Sequence, residues 1–151
     1  MSTIRIQWPD GTIASSTPGE MAIASGDVFP VASRVPGAPG EAFGLPSWYR
    51  AAAPRGLAEP THAVARAADG FEADIPWSQL GAALLQYAVD GEPLVKGKPM
   101  RLYVPDGTSA CLNVKSVVEL RFEHDAGRGD EATYGFVTVA GTIGTLKRRP
   151  E

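Results

Sequence analysis

The chain reads as a single α+β domain in which β-structure dominates. Three observations predict this. Seventeen glycines and thirteen prolines interrupt the chain too often for long helices. Period-two alternation recurs along it, most clearly over residues 115–124, where Val118, Leu120 and Phe122 oppose Val117, Glu119, Arg121 and Glu123. Helical features are confined to short stretches. A length of 151 residues suits one domain, and by general scaling it buries about 70% of the unfolded surface.

Each element follows from local chemistry. Residues 3–8 alternate Ile4 and Ile6 with Arg5 and Gln7, then stop at Pro9-Asp10-Gly11, so a strand and a turn are predicted. Residues 19–24 read as a second short strand. Residues 26–46 are crowded with Gly and Pro, yet Phe29, Val31, Val35 and Phe43 need burial, which predicts an ordered loop packed on the domain. A short helix follows over 46–53, with Ser47 near its start and Pro54 closing it. Residues 62–68 and 71–75 form a hairpin about Asp69-Gly70, with Phe71, Ala73 and Ile75 on one face and Glu72 and Asp74 on the other.

The stretch 76–89 satisfies helical and strand spacing at once; one helical turn over 77–80 and a strand over 83–89 are predicted. Residues 100–104 form a strand ended by Pro105-Asp106-Gly107. Residues 133–140 are β-rich, with Tyr134, Phe136, Val137 and Val139. The end, 147–151, carries Lys147-Arg148-Arg149 and reads as a frayed basic tail.

Bulk properties exclude several function classes. A net charge of −3 gives no electrostatic case for nucleic acid. No stretch is apolar enough to span a bilayer, and the first residues, Met1-Ser2-Thr3-Ile4-Arg5, lack the charged and then apolar pattern of a signal segment. A cytoplasmic location is the expectation. The single cysteine, Cys111, rules out an internal disulfide. No nucleophile–base triad, phosphate-cradling glycine loop or paired-carboxylate pattern stands out.

One ordered set of motifs does point to chemistry. Asp69-Gly70-Phe71, Ile75-Pro76, Leu84-Leu85, Asp90-Gly91-Glu92-Pro93-Leu94, Pro99-Met100-Arg101-Leu102-Tyr103-Val104-Pro105 and Lys115-Ser116-Val117 follow one another over 69–123. Upstream, Val35-Pro36-Gly37 leads through a Pro/Gly loop to Tyr49, and Cys111-Leu112-Asn113-Val114-Lys115 gives a C-x-N-V-K pattern. The set resembles the sulfite-oxidase-like oxidoreductase molybdopterin-binding domain, in a short branch of that family. The resemblance implies a mostly β fold with a mixed barrel-like sheet and short helices. It also implies a pterin cofactor whose phosphate is contacted at the positions of Arg101 and Lys115.

The family's molybdenum-ligating Cys lies upstream of the matched segment, and this chain has no Cys before position 111. Lys96 stands where a His is common, and Val118-Glu119 replaces a basic-aromatic pair. A molybdopterin-type cofactor is therefore the implied ligand, with molybdenum itself not expected.

The candidate cofactor-binding residues are Arg101, Lys115, Lys96, Lys98, Asn113 and Ser116. The rigid fork of Arg101 suits a phosphate; its bland alternative is a strand-end Arg paired to a carboxylate. Lys115 would add a cation beside loop N–H groups, or else is an exposed strand-end residue. Lys96 and Lys98 add charge around the turn, or simply solvate it. Cys111 could serve a metal only if a neighbouring cation lowered its pKa; the preferred reading is a small buried hydrophobe. His62 and His124 have no metal-ligand spacing and read as strand-end residues. Trp8, Trp48 and Trp77 read as core or capping residues.

Two functions fit. One is an oxidoreductase-like protein holding a pterin or other phosphate-bearing cofactor. The other is a non-catalytic binding or interaction module on the same scaffold, with a small anion or a protein as its partner.

Overall fold

Thr17 decides the first structural departure from that reading. The computed structural model describes residues 2–136, together with the backbone of 146–148. In it, strands β1 (Ile4–Gln7) and β2 (Ile13–Ser16) form a hairpin, and the chain then enters helix α1 (Pro18–Ser25) rather than the second strand expected over 19–24. The reason is a capping box: the Thr17 hydroxyl accepts the Glu20 N–H at 3.2 Å, and the Glu20 carboxylate accepts the Thr17 N–H at 3.1 Å. Pro18 sits in the first turn, and Gly26 closes the helix at φ +68°. Replacing Thr17 by Ala is expected to lower stability by about 1 kcal/mol through the lost cap, read from the midpoint of urea unfolding.

Residues 26–46 are ordered and packed, as expected, but they hold two strands rather than loop alone. These are β3 (Val28–Pro30) and β4 (Glu41–Gly44), with a 3₁₀ turn at Val31–Ser33 between them. Val31 and Phe43 are fully buried, and Phe29 and Val35 pack beside Val31. Helix α2 (Leu45–Ala52) follows, with Pro46 in its first turn. The predicted hairpin forms as β5 (His62–Ala67) and β6 (Phe71–Pro76), with Ala63 opposite Ile75 and Ala65 opposite Ala73; the turn takes in Ala68 as well as Asp69-Gly70, which shifts the pairing by one residue from that of a two-residue turn. One 3₁₀ turn at Trp77–Gln79 and strand β7 (Leu84–Val89) resolve the ambiguous stretch as expected. Short strands β8 (Glu92–Pro93) and β9 (Arg101–Tyr103) precede the long strand β10 (Val117–Glu123).

Of the β-rich segment 133–140, residues Thr133–Phe136 form β11, and Val137 and Val139 lie outside the described residues. Lys147 and Arg148, expected in a frayed end, stand opposite Tyr134 and Thr133 within strand β12 (Leu146–Arg148). Residues 149–151 lie outside the described residues.

The strands form two sheets, not a barrel. The seven-stranded sheet runs β12-β11-β6-β5-β10-β1-β2 and is mixed, because β1 and β10 are parallel. The five-stranded sheet runs β3-β4-β7-β8, and β9 also pairs with β7. Leu102 exchanges backbone hydrogen bonds with Val114 (2.8 and 3.0 Å), and the Val117 N–H reaches the Met100 carbonyl at 2.8 Å. The segment that becomes β10 is thus stitched to β9, joining the sheets at one side. Closure into a barrel would also require the outer edges to pair, and β2 and β3 end their sheets instead.

One core cluster spans both sheets and includes Ile4, Phe43, Trp48, Leu85, Leu102 and Phe122. Trp8 and Trp48 are buried within it, and Trp77 packs against it. No helix among the described residues is long and apolar enough to cross a membrane.

Candidate functional site

The run Met100-Arg101-Leu102-Tyr103-Val104 alternates about β9, and this places its one charged residue. Met100, Leu102 and Val104 enter the core. Arg101 and Tyr103 therefore take the opposite face of the five-stranded sheet. There Arg101 stands across from Gln86, and Tyr103 from Leu84. The Arg101 guanidinium carbon lies 4.9 Å from the Tyr103 ring centroid, a cation–π contact. Its stem runs past Gly97, where an added Cβ would sit 3.8 Å from the Arg101 Cδ.

The Arg101 Nε is buried and has no hydrogen-bond partner. Among the described residues no carboxylate pairs with its guanidinium, whereas Arg5, Arg50, Arg121 and Arg128 each hold one. The bland reading of a strand-end Arg neutralised by Asp or Glu is thus not what the structure contains. Its stem and Nε are held while the residue keeps partial exposure, so the fork is oriented and still reachable.

The other expected residues fall into three groups. Ser116 is brought to Arg101 through Gly97: its N–H reaches the Gly97 carbonyl at 3.2 Å, and its own carbonyl accepts the Ala68 N–H at 2.9 Å. These bonds hold Ser116 in the left-handed region, at φ +55°. Lys96 and Lys115 are exposed and make no ion pair among the described residues, and they adjoin Gly97 and Ser116 in the chain. Asn113 is committed to the fold, since its Oδ1 accepts the Val104 N–H at 2.7 Å and fixes the end of β9. Lys98 goes elsewhere. It lines a cleft of about 440 Å³ beside the start of α1, together with Thr17, Pro18, Tyr87, Leu94 and Pro99, and Arg101 does not line that cleft.

Cys111 is exposed, on a 3₁₀ turn at Ala110–Leu112. The expectation of a buried small hydrophobe is corrected here: Leu112, its neighbour, takes the core position instead. Among the described residues no group of three or more His, Cys, Asp or Glu could hold a metal ion. The chain's sole thiol sits on an exposed turn. Both ring nitrogens of His62 are engaged, by the Thr61 hydroxyl and the Gly129 carbonyl, each at 2.9 Å. His124 Nδ1 lies 3.2 Å from the Glu59 carbonyl.

Sequence reasoning missed Gln86, Tyr103 and Gly97 around Arg101. Gln86 had a signal, a lone polar residue inside an apolar strand, and Tyr103 follows Arg101 at the same-face spacing of two; Gly97 becomes visible only in the folded turn. No family model, no curated protein and no solved structure matches this chain.

Proposed function

We propose that this chain is a non-catalytic binding module that holds a small oxyanion, such as a phosphate group, through Arg101. The observation that carries the reading is the guanidinium itself: oriented by Gly97 and Tyr103, with a buried Nε, and without a carboxylate partner among the described residues. An Arg fork left free in an acidic chain is a charge available to a ligand. Lys96 and Lys115, chain neighbours of Gly97 and Ser116, add positive charge to these segments, and the Ser116 backbone is fixed by its bond to Gly97. The motif order resembling sulfite-oxidase-type domains supports a phosphate-bearing ligand at this position. The surface location of Cys111 favours binding over redox chemistry.

Titration with inorganic phosphate and pyrophosphate, followed calorimetrically, tests this. Arg101→Ala is expected to weaken binding by about 1.5–3 kcal/mol, the range for a hydrogen bond to a charged group. Arg101→Lys is expected to recover only part of it, since Lys lacks the planar fork. An Arg101→Ala protein that binds either anion as wild type does, or a wild-type protein that binds neither, would overturn the reading.

A further inference from the structure

The cleft beside α1 is built differently from the Arg101 face. Its walls are proline rings and an aromatic ring, Pro18, Pro93, Pro99 and Tyr87, with Leu94 among them. Proline has a fixed φ and no rotamers to order, so these walls are preformed and cost little to organise around a ligand. A volume of about 440 Å³ lies in the range of small-molecule sites, which are mostly apolar with a few placed polar groups.

Among the described residues, Lys98 is the only charged residue on the lining. It is exposed and makes no ion pair among the described residues, so its stem can cover apolar wall while its ammonium stays at the mouth. The Glu41 carboxylate, on the neighbouring strand, is engaged by the Asp90 and Gly91 N–H groups at 3.2 and 2.8 Å. The start of α1 is likewise closed by its capping box and is not needed as an anion site. Burial, and then the field of Glu41, raise the Tyr87 phenol above its usual pKa.

We infer that this cleft is a second ligand site, for a small aromatic carboxylate. Its ring lies flat between the prolines and Tyr87, and its carboxylate meets the Lys98 ammonium. The site is separate from Arg101 and does not depend on the oxyanion reading.

The test uses the full chain with 1-naphthoate and its neutral counterpart 1-naphthamide, followed by amide chemical-shift titration. Both are expected to shift Gly19, Tyr87, Ala88 and Leu94, with the carboxylate binding more tightly. Lys98→Met keeps the apolar stem and removes the charge; it is expected to weaken 1-naphthoate about tenfold, as for loss of a charge-assisted contact, and to leave 1-naphthamide unchanged. Arg101→Ala is expected to leave both unchanged. The inference is overturned if neither probe shifts the cleft residues of the wild-type protein by about 10 mM, roughly tenfold above a dissociation constant of about 1 mM. It is equally overturned if Lys98→Met weakens both probes alike or neither.

Discussion

Replacing Phe122 by Ala is expected to lower stability by about 3–5 kcal/mol, the range for deleting a fully buried aromatic side chain. Phe122 is 0% exposed on β10 and lies at the centre of an aromatic cluster. Its ring centroid is 4.9 Å from Tyr49, 5.8 Å from Trp48, 5.9 Å from Trp8 and 6.2 Å from Trp77. These partners come from the β1–β2 turn, α2 and the turn after β6, so one ring ties three distant segments to the seven-stranded sheet. Large rigid neighbours cannot collapse into the space left behind, which places the cost at the upper end of cavity effects. Urea unfolding monitored by tryptophan fluorescence measures it. A loss below about 1 kcal/mol, a surface-like value, would mean that the cluster is not packed around Phe122.

Arg121→Ala is expected to cost about as much for an electrostatic reason. Arg121 lies between three acids on the outer face of the same sheet. It donates to both carboxylate oxygens of Glu72 (3.1 and 3.2 Å), also to Glu119 at 3.2 Å, and its Nε lies 3.8 Å from Glu123. Arg5 supports Glu119, while Arg128 joins Asp74 to Glu123. Burial opposes the charge on Arg121, yet the Glu72 hydrogen bonds and the fields of Glu72, Glu119 and Glu123 together raise its pKa above the usual value. The Glu72 and Glu119 side chains are only 9% and 11% exposed. Removing the guanidinium leaves Glu72 buried and unpaired, which costs about 3–5 kcal/mol in comparable cases. The double variant Arg121→Ala/Glu72→Gln is expected to lose less than the sum of the two single changes, because no buried charge is then left alone. Strict additivity in unfolding free energy would contradict the network.

Much of this architecture was legible where one rule dominated. The β5–β6 hairpin announced itself through Asp69-Gly70 between alternating runs, and β10 through alternation, although a bulge at its start puts Val117 rather than Val118 in the core. Helix α1 was missed because Met21 and Ile23 suggest a strand while the decisive signal is the Thr17–Glu20 cap; Ile23 is in fact 83% exposed. The barrel expectation failed on edges, which depend on long-range pairing that no local window contains. At the candidate site, Arg101 was singled out by the ordered motif set over 69–123 and the resemblance it carries, not by spacing alone. Its orientation was only partly readable: alternation puts Tyr103 on the same face, but Gln86 meets it through sheet register and Gly97 through the fold of the preceding turn. Lys98 and Arg101 are near neighbours in sequence, yet Lys98 lines the cleft and Arg101 does not. The cleft itself is assembled from residues around 2, 17–19, 87–94 and 98–99, a set with no sequence signature.

The most direct measurement is a nitrogen–proton correlation titration of the wild-type protein with inorganic phosphate, following the side-chain Nε–H of Arg101 alongside the backbone amides. The account predicts a saturable shift of the Arg101 Nε–H resonance, accompanied by Gly97, Ser116 and Tyr103, with the cleft residues Gly19 and Leu94 left in place. An Arg101 resonance that stays fixed while phosphate shifts other residues, or shifts none, would contradict it.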